Sequence, residues 1–254
     1  MTKSKFNEFV RIVKRLRKEC PWDKEQTNDS IKAATIEEAY EVVEAIDNKD
    51  YDELRKELGD LLLHVVFHTV IAEESNHFNI DDVIDSIQEK LIRRHPHVFG
   101  DVKVSGADEV KKNWEEIKLS EGRGNLLDGV PELLPGLQRA HRLQEKVAKV
   151  GFDWEKKEDV WEKVIEEIEE MHRSEKDGSH EEIESEIGDV FFALVNYTRF
   201  LGVNPENALR KTNKKFIKRF GYVEKKITAS GRKLSESNLE EMDKYWEESK
   251  DIVD

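Results

Sequence analysis

Cysteine is nearly absent: Cys20 is the only one in 254 residues. A single thiol excludes an intramolecular disulfide framework and fits a reducing, cytoplasmic setting. Long apolar runs are missing as well. No stretch approaches the ~18 residues needed to span a bilayer, so a membrane partner is not expected. The stretch MTKSKFNEFVRIVKRL is basic and amphipathic and lacks the apolar centre of a secretory signal. Positive charge is short: 42 Lys and Arg stand against 56 Asp and Glu, a net charge of −14. That balance argues against nucleic acid or an anionic membrane surface as a partner. Alternation of apolar and polar residues is absent over any useful length, which removes the signature of a half-buried strand and leaves an all-α fold.

What the chain does contain is acid, in a pattern that occurs twice. TIEEAYEVVEAI (35–46) is followed by ELRKELGDLLLHVVFH (53–68), and KVIEEIEEMH (163–172) by EIESEIGDVFFALVNY (182–197). Each copy holds Glu-Glu-x-x-Glu and then Glu-x-x-Asp. Glu38 to Glu57 and Glu167 to Glu186 are both 19 residues apart. A solvated charged face is the ordinary meaning of one Glu-rich stretch in a chain with 39% charged residues. Two quartets at one interval point to a shared chemical task instead.

Glu38 and Glu41 are i and i+3, so they share a helix face; Glu57 and Asp60 repeat that geometry on the next helix. Asn48, Lys49 and Asp50 suit a turn between two antiparallel helices. The second half places Glu167, Glu170, Glu186 and Asp189 in the same way. Four facing carboxylates repel unless something neutralises them. The apolar run LLLHVVFHTVIA after Asp60 reads as a buried helix, and buried carboxylates are normally paired or metal-bound. Oxygen ligands without sulfur suit Mg²⁺ or Mn²⁺. Gly59 and Gly188, between the Glu and the Asp of each copy, are expected to admit a neighbouring helix closely.

The repeat extends almost end to end. Residues 4–19 carry apolar positions at helical spacing and stop at Cys20-Pro21. Residues 20–31 are expected to form a loop in which Trp22 packs, with a helix start near 28–30. A helix over Ile80–Arg94, begun by Asp81 and Asp82, ends in a basic cluster of Lys90, Arg93 and Arg94 that reads as a phosphate clamp. Four glycines and two prolines in EGRGNLLDGVPELLPG mark a linker at 121–136, between domains at 1–120 and 137–254. Lys215, Lys218 and Arg219 then repeat the basic cluster. NWEEIK (113–118) returns as YWEESK (245–250), matching Trp114 with Trp246 and Lys118 with Lys250.

TIEEAYEV, ELGDLLLHVVFH, RRHPHVFGD, LLDGVP, GFDW and EIGDVFFALVN together resemble MazG, a family of nucleoside triphosphate pyrophosphohydrolases within the all-α NTP pyrophosphatases. The resemblance covers the whole chain. It implies two tandem helical-bundle domains, a homodimer, and Mg²⁺-dependent cleavage of nucleoside triphosphates to the monophosphate and pyrophosphate. It also implies that the two quartets are the metal ligands. By the same resemblance Lys163, Lys215, Arg219, Trp246 and Lys250 contact the nucleotide. One family position departs: a basic residue before the second Glu-x-x-Asp is Glu182 here, so no phosphate contact carries over to it. Glu37 and Glu166, beside the ligands, could orient a water or take its proton. The α-phosphorus as the point of attack rests on the resemblance alone.

Three other classes share some of these features. A ferritin-type di-iron bundle needs paired Glu-x-x-His elements; Glu74–His77 and Glu169–His172 have the spacing but are not equivalent in the repeat. A non-catalytic dimeric scaffold should have lost a ligand from one quartet. A dUTPase-like specialist would differ only in the base it accepts.

Overall fold

The computed structural model describes residues 2–120 and 125–252, and every regular element among them is helical. The chain divides into two compact units, Met1–Glu121 and Gly122–Asp254.

The first unit contains α1 (Thr2–Glu19), α2 (Pro21–Glu25), α3 (Lys32–Asn48), α4 (Tyr51–Glu74), α5 (Ile80–Arg94), α6 (Pro96–Phe99) and α7 (Ala107–Ser120). Its axis is the α3–α4 hairpin. The turn closes because Lys49 takes a left-handed backbone and its N–H returns to the carbonyls of Ala45 and Ile46. Asp50 then caps α4 by accepting from the N–H groups of Asp52 and Glu53. A capping box of Asn79 and Asp82 starts α5. Val10 and Val13 of α1 bury against Val66, Phe67, Val70 and Ile71 of α4, with Ile31 completing the cluster. Full burial of a valine side chain contributes about 1.5–3 kcal/mol. Lys14–Glu73 at 2.6 Å and Arg17–Glu74 at 2.9 Å fix the register of α1 on α4.

The second unit contains α8 (Gly136–Ala148), α9 (Lys157–Asp177), α10 (His180–Phe200), α11 (Pro205–Ala229) and α12 (Leu239–Lys250). The α9–α10 hairpin turns at Gly178, and Ser179 with Glu182 forms the capping box of α10. Asn204 caps α11, with Pro205 at its first position. Val160, Val164, Ala193, Val195, Val223 and Ile227 bury in this unit. The first four residues of the segment read as a linker lie outside the described residues. Further on, the Lys146 ammonium donates to the carbonyls of Leu126 and Asp128, at 2.9 and 2.6 Å, tying that stretch to α8.

Four expectations are corrected. Residues 20–31 contain the short helix α2, because Pro21 is preorganised for a first helical position. Trp22 does not pack; it is 64% exposed. The apolar half of α4 is not covered all round, since Leu58, Leu62 and Val65 are exposed; Ile187, Phe191 and Leu194 repeat that ridge on α10. Gly59 and Gly188 lie in the open, with no neighbour among the described residues of their own unit within 4 Å of where a Cβ would stand.

Candidate active site

In the first unit Glu38 and Glu41 of α3 and Glu57 of α4 each offer a carboxylate oxygen, and these oxygens lie within 4.8 Å of one another. Asp60 stands outside this trio and is exposed, though its charge still acts on Glu38. Glu57 is only 9% exposed. Burial first, then hydrogen bonding to Glu53 and the charge of Glu41, push its carboxyl up to about 7. Burial and the charges of Glu41 and Asp60 also raise Glu38, against an opposing pull from His64.

Behind Glu38 runs a polar chain that the sequence reading missed. His64 Nε2 lies 3.8 Å from Glu38 Oε1, and its Nδ1 meets Thr35 Oγ1 at 2.9 Å. The same hydroxyl reaches His68 Nε2 at 2.8 Å, and His68 Nδ1 meets Asn28 at 2.8 Å. The clue was present: His64 and His68 are i and i+4 on the helix that carries Glu57. Val164, Ala193 and Tyr197 stand at the corresponding positions of the second unit, so the chain is confined to the first.

In the second unit the trio is Glu167 of α9 with Glu186 and Asp189 of α10, again within 4.8 Å. Here the fourth acid, Glu170, pairs with Arg173 at 3.1 Å. Glu186 is raised by burial and by the charges of Glu170, Asp189 and Glu167, while Arg173 opposes. Lys163 enters this trio directly, 2.7 Å from Glu167 and 2.8 Å from Glu166. These two hydrogen bonds strengthen its hold on the proton. Glu166 and Glu37 are exposed beside their trios. Glu182 accepts from the Ser179 N–H at 2.7 Å, and that bond lowers its pKa. Glu182 thus serves as the N3 partner of Ser179 in the capping box that starts α10.

The basic residues divide. Arg94 is buried with its guanidinium 5.5 Å from the centre of the Trp114 ring, and Arg219 lies 5.9 Å from that of Trp246. The repeat thus reproduces an Arg–Trp pair in both units, and Arg94 packs on an indole instead of projecting into solvent. Lys90, Arg93 and Lys215 are exposed, and Lys250 pairs with Glu247. Neither Glu-x-x-His element forms an iron-type cluster among the described residues: Glu74 is held by Arg17, and His172 faces Glu175.

Lys163, Glu167 and Asp189 also line a cavity of about 380 Å³ that runs between α8, α9 and α10. Its walls are mostly apolar and aromatic, including Phe152, Trp154 and Phe192, and at one end Arg199 grips Asp153 at 2.8 Å. Nothing in the sequence reading pointed to this cavity, whose walls come from three helices and two loops.

A tandem all-α protein with one acidic trio in each helical hairpin is the class that fold and site define. The family model of the MazG nucleotide pyrophosphohydrolase domain matches twice, at residues 26–99 and 155–223. A protein of Thermotoga maritima named nucleoside triphosphate pyrophosphohydrolase/pyrophosphatase MazG is 46% identical over 96% of this chain and 95% of its own. An Escherichia coli protein named nucleoside triphosphate pyrophosphohydrolase is 42% identical over 97% of each. A solved mazG-related structure from Thermotoga maritima aligns at 26% identity with a TM-score of 0.40, over 44% of this chain and 98% of that one. The chain belongs to the MazG nucleotide pyrophosphohydrolase family. No helix among the described residues is long and apolar enough to cross a membrane.

Proposed function

We propose that the protein is a Mg²⁺-dependent nucleoside triphosphate pyrophosphohydrolase, converting NTPs or dNTPs to the monophosphate and pyrophosphate, with most turnover in the second unit. One observation carries the reading: Glu167, Glu186 and Asp189 converge, and Lys163, Glu167 and Asp189 line a cavity of about 380 Å³. The trio fits a hard cation, because its donors are all oxygen, and burial with the charges of Glu170, Asp189 and Glu167 raises the Glu186 carboxyl against the pull of Arg173. Glu167, Glu186 and Asp189 would hold Mg²⁺ or Mn²⁺ in the second unit, with Glu170 close by; Glu38, Glu41 and Glu57 would do so in the first, with Asp60 adjacent. Bound there, the ion supplies a water of lowered pKa and neutralises charge on the phosphoryl group.

The chain's own groups then divide the work. Lys163, beside Glu167 and Glu166, is placed to hold a phosphate oxygen. Lys215, Arg219, Trp246 and Lys250 grip the nucleotide, and Lys90, Arg93 and Arg94 form the basic cluster of the first unit that matches Lys215, Lys218 and Arg219. Glu166 takes the proton of the attacking water, with Glu37 in the same place in the first unit. The attack falls on the α-phosphorus.

The exposed ridges Leu58–Leu62–Val65 and Ile187–Phe191–Leu194 support a homodimer, since both repeats leave the same apolar positions uncovered. Incubating ATP and other NTPs with the protein and Mg²⁺ tests the proposal. Monophosphate and pyrophosphate are expected; diphosphate and orthophosphate would overturn it.

A further inference from the structure

The apolar stripe of α8 runs Leu137, Ala140, Gln144, Val147, so one buried position is filled by an amide. Gln144 is 5% exposed and lines the cavity beside the trio. Its Nε2 donates to the Phe192 carbonyl at 2.8 Å. A carbonyl can only accept, so this bond fixes which way the amide faces. Oε1 is left buried, with no hydrogen-bond partner among the described residues. A buried acceptor without a donor costs folding free energy, and an aliphatic residue of similar size would avoid that cost. Along the same wall Arg199 binds Asp153 and also donates to the Asn196 side-chain oxygen at 2.8 Å, and Lys163 pairs with Glu167.

We propose that Gln144 is a base-reading residue: its Oε1 accepts a hydrogen bond from an N–H on the edge of a nucleobase seated in this cavity. The inference rests on the reading that the second unit takes a nucleotide. With phosphates at the Lys163, Glu167 and Asp189 end, the base falls among Phe152, Trp154 and Phe192, whose flat faces suit a heterocycle. About 380 Å³ lies within the range of small-molecule sites. A site built around an acceptor discriminates against an otherwise similar base lacking the matching donor. The donor is an exocyclic amino group or a ring N–H, and the ligands below separate the two.

Isothermal titration of the full-length protein with AMP, IMP and purine riboside 5′-monophosphate tests this without turnover. The last of these has no N–H on its base edge. AMP, IMP or both should bind roughly five- to tenfold more tightly than purine riboside 5′-monophosphate, the weight of one neutral hydrogen bond. Preference for AMP assigns the amino group, and preference for IMP the ring N–H. In Gln144→Leu, and in the more compliant Gln144→Met, the ratio should fall to about one. Equal binding of all three by the unaltered protein overturns the assignment, and that comparison stands even where a variant fails to fold. Pyrophosphate release from NTPs, measured on the same preparation, separates the two readings. Discrimination without release would sink the catalytic reading and leave Gln144 as assigned, whereas release without discrimination would sink only the role of Gln144.

Discussion

Lys163 places its ammonium 2.7 Å from Glu167, inside the carboxylate trio of the second unit, whereas the corresponding position of the first unit is Ala34. The second trio therefore holds a lysine where the first has an alanine. Lys163→Met should lower the folding stability in EDTA by the small amount typical of a partly exposed ion pair, about 0.2–1 kcal/mol, read as a slightly lower melting temperature. It should also raise KM for NTPs, because the same ammonium is the proposed phosphate ligand. An unchanged KM would leave Lys163 with a purely electrostatic role in the trio.

The asymmetry also ranks the two sites. Glu186→Gln should reduce pyrophosphate release by at least the roughly 10–100-fold that follows loss of a metal ligand's supporting partner. Glu57→Gln should cost far less. Steady-state rates on the two variants decide, and the reverse order would move the main activity to the first unit.

Glu57 gives a pH dependence whose sign can be worked out. Its folded pKa, about 7, lies above the ordinary value of 4.5, so the folded state binds the extra proton between those limits. In metal-free protein this group opposes folding above pH 7, and the penalty disappears as pH falls toward 4.5. Glu57→Gln should therefore raise the metal-free melting temperature at pH 8 and change it little at pH 4.5. Adding Mg²⁺ should stabilise the unaltered protein by about 2.7 kcal/mol at a hundredfold excess over Kd, and the variant by less. Equal melting temperatures for variant and parent at pH 8 in EDTA would contradict the strained trio.

The uncovered ridge makes its own demand. Phe191 is 56% exposed on α10. The protein should be dimeric by light scattering at micromolar concentration, and Phe191→Asp or Leu62→Asp should shift it toward monomer by burying an unpaired charge at the contact. A monomeric parent protein would refute the dimer.

Much of this was legible in the chain because helices advertise themselves locally. Asn79 with Asp82, and Asn204 with Pro205, mark helix starts in the residues themselves. The common 19-residue interval between the glutamates exposed both hairpins. What failed was the choice among neighbours. Spacing of i and i+3 puts Glu57 and Asp60 on one face, yet it does not say that Asp60 stands off while Glu57 is buried; that depends on what packs from α3. Trp22 was misjudged because its surroundings are set by where α2 falls on α1. The cavity was invisible because its walls meet only through tertiary packing, although Gln144, a polar residue in an apolar stripe, was the available sign.

The central claim, water attack at the α-phosphorus, is tested most directly by isotope. ATP is hydrolysed with Mg²⁺ in water enriched in oxygen-18, and the products are weighed by mass spectrometry. One labelled oxygen should appear in AMP, with unlabelled pyrophosphate. Label in the pyrophosphate, or in orthophosphate released beside ADP, would contradict the account.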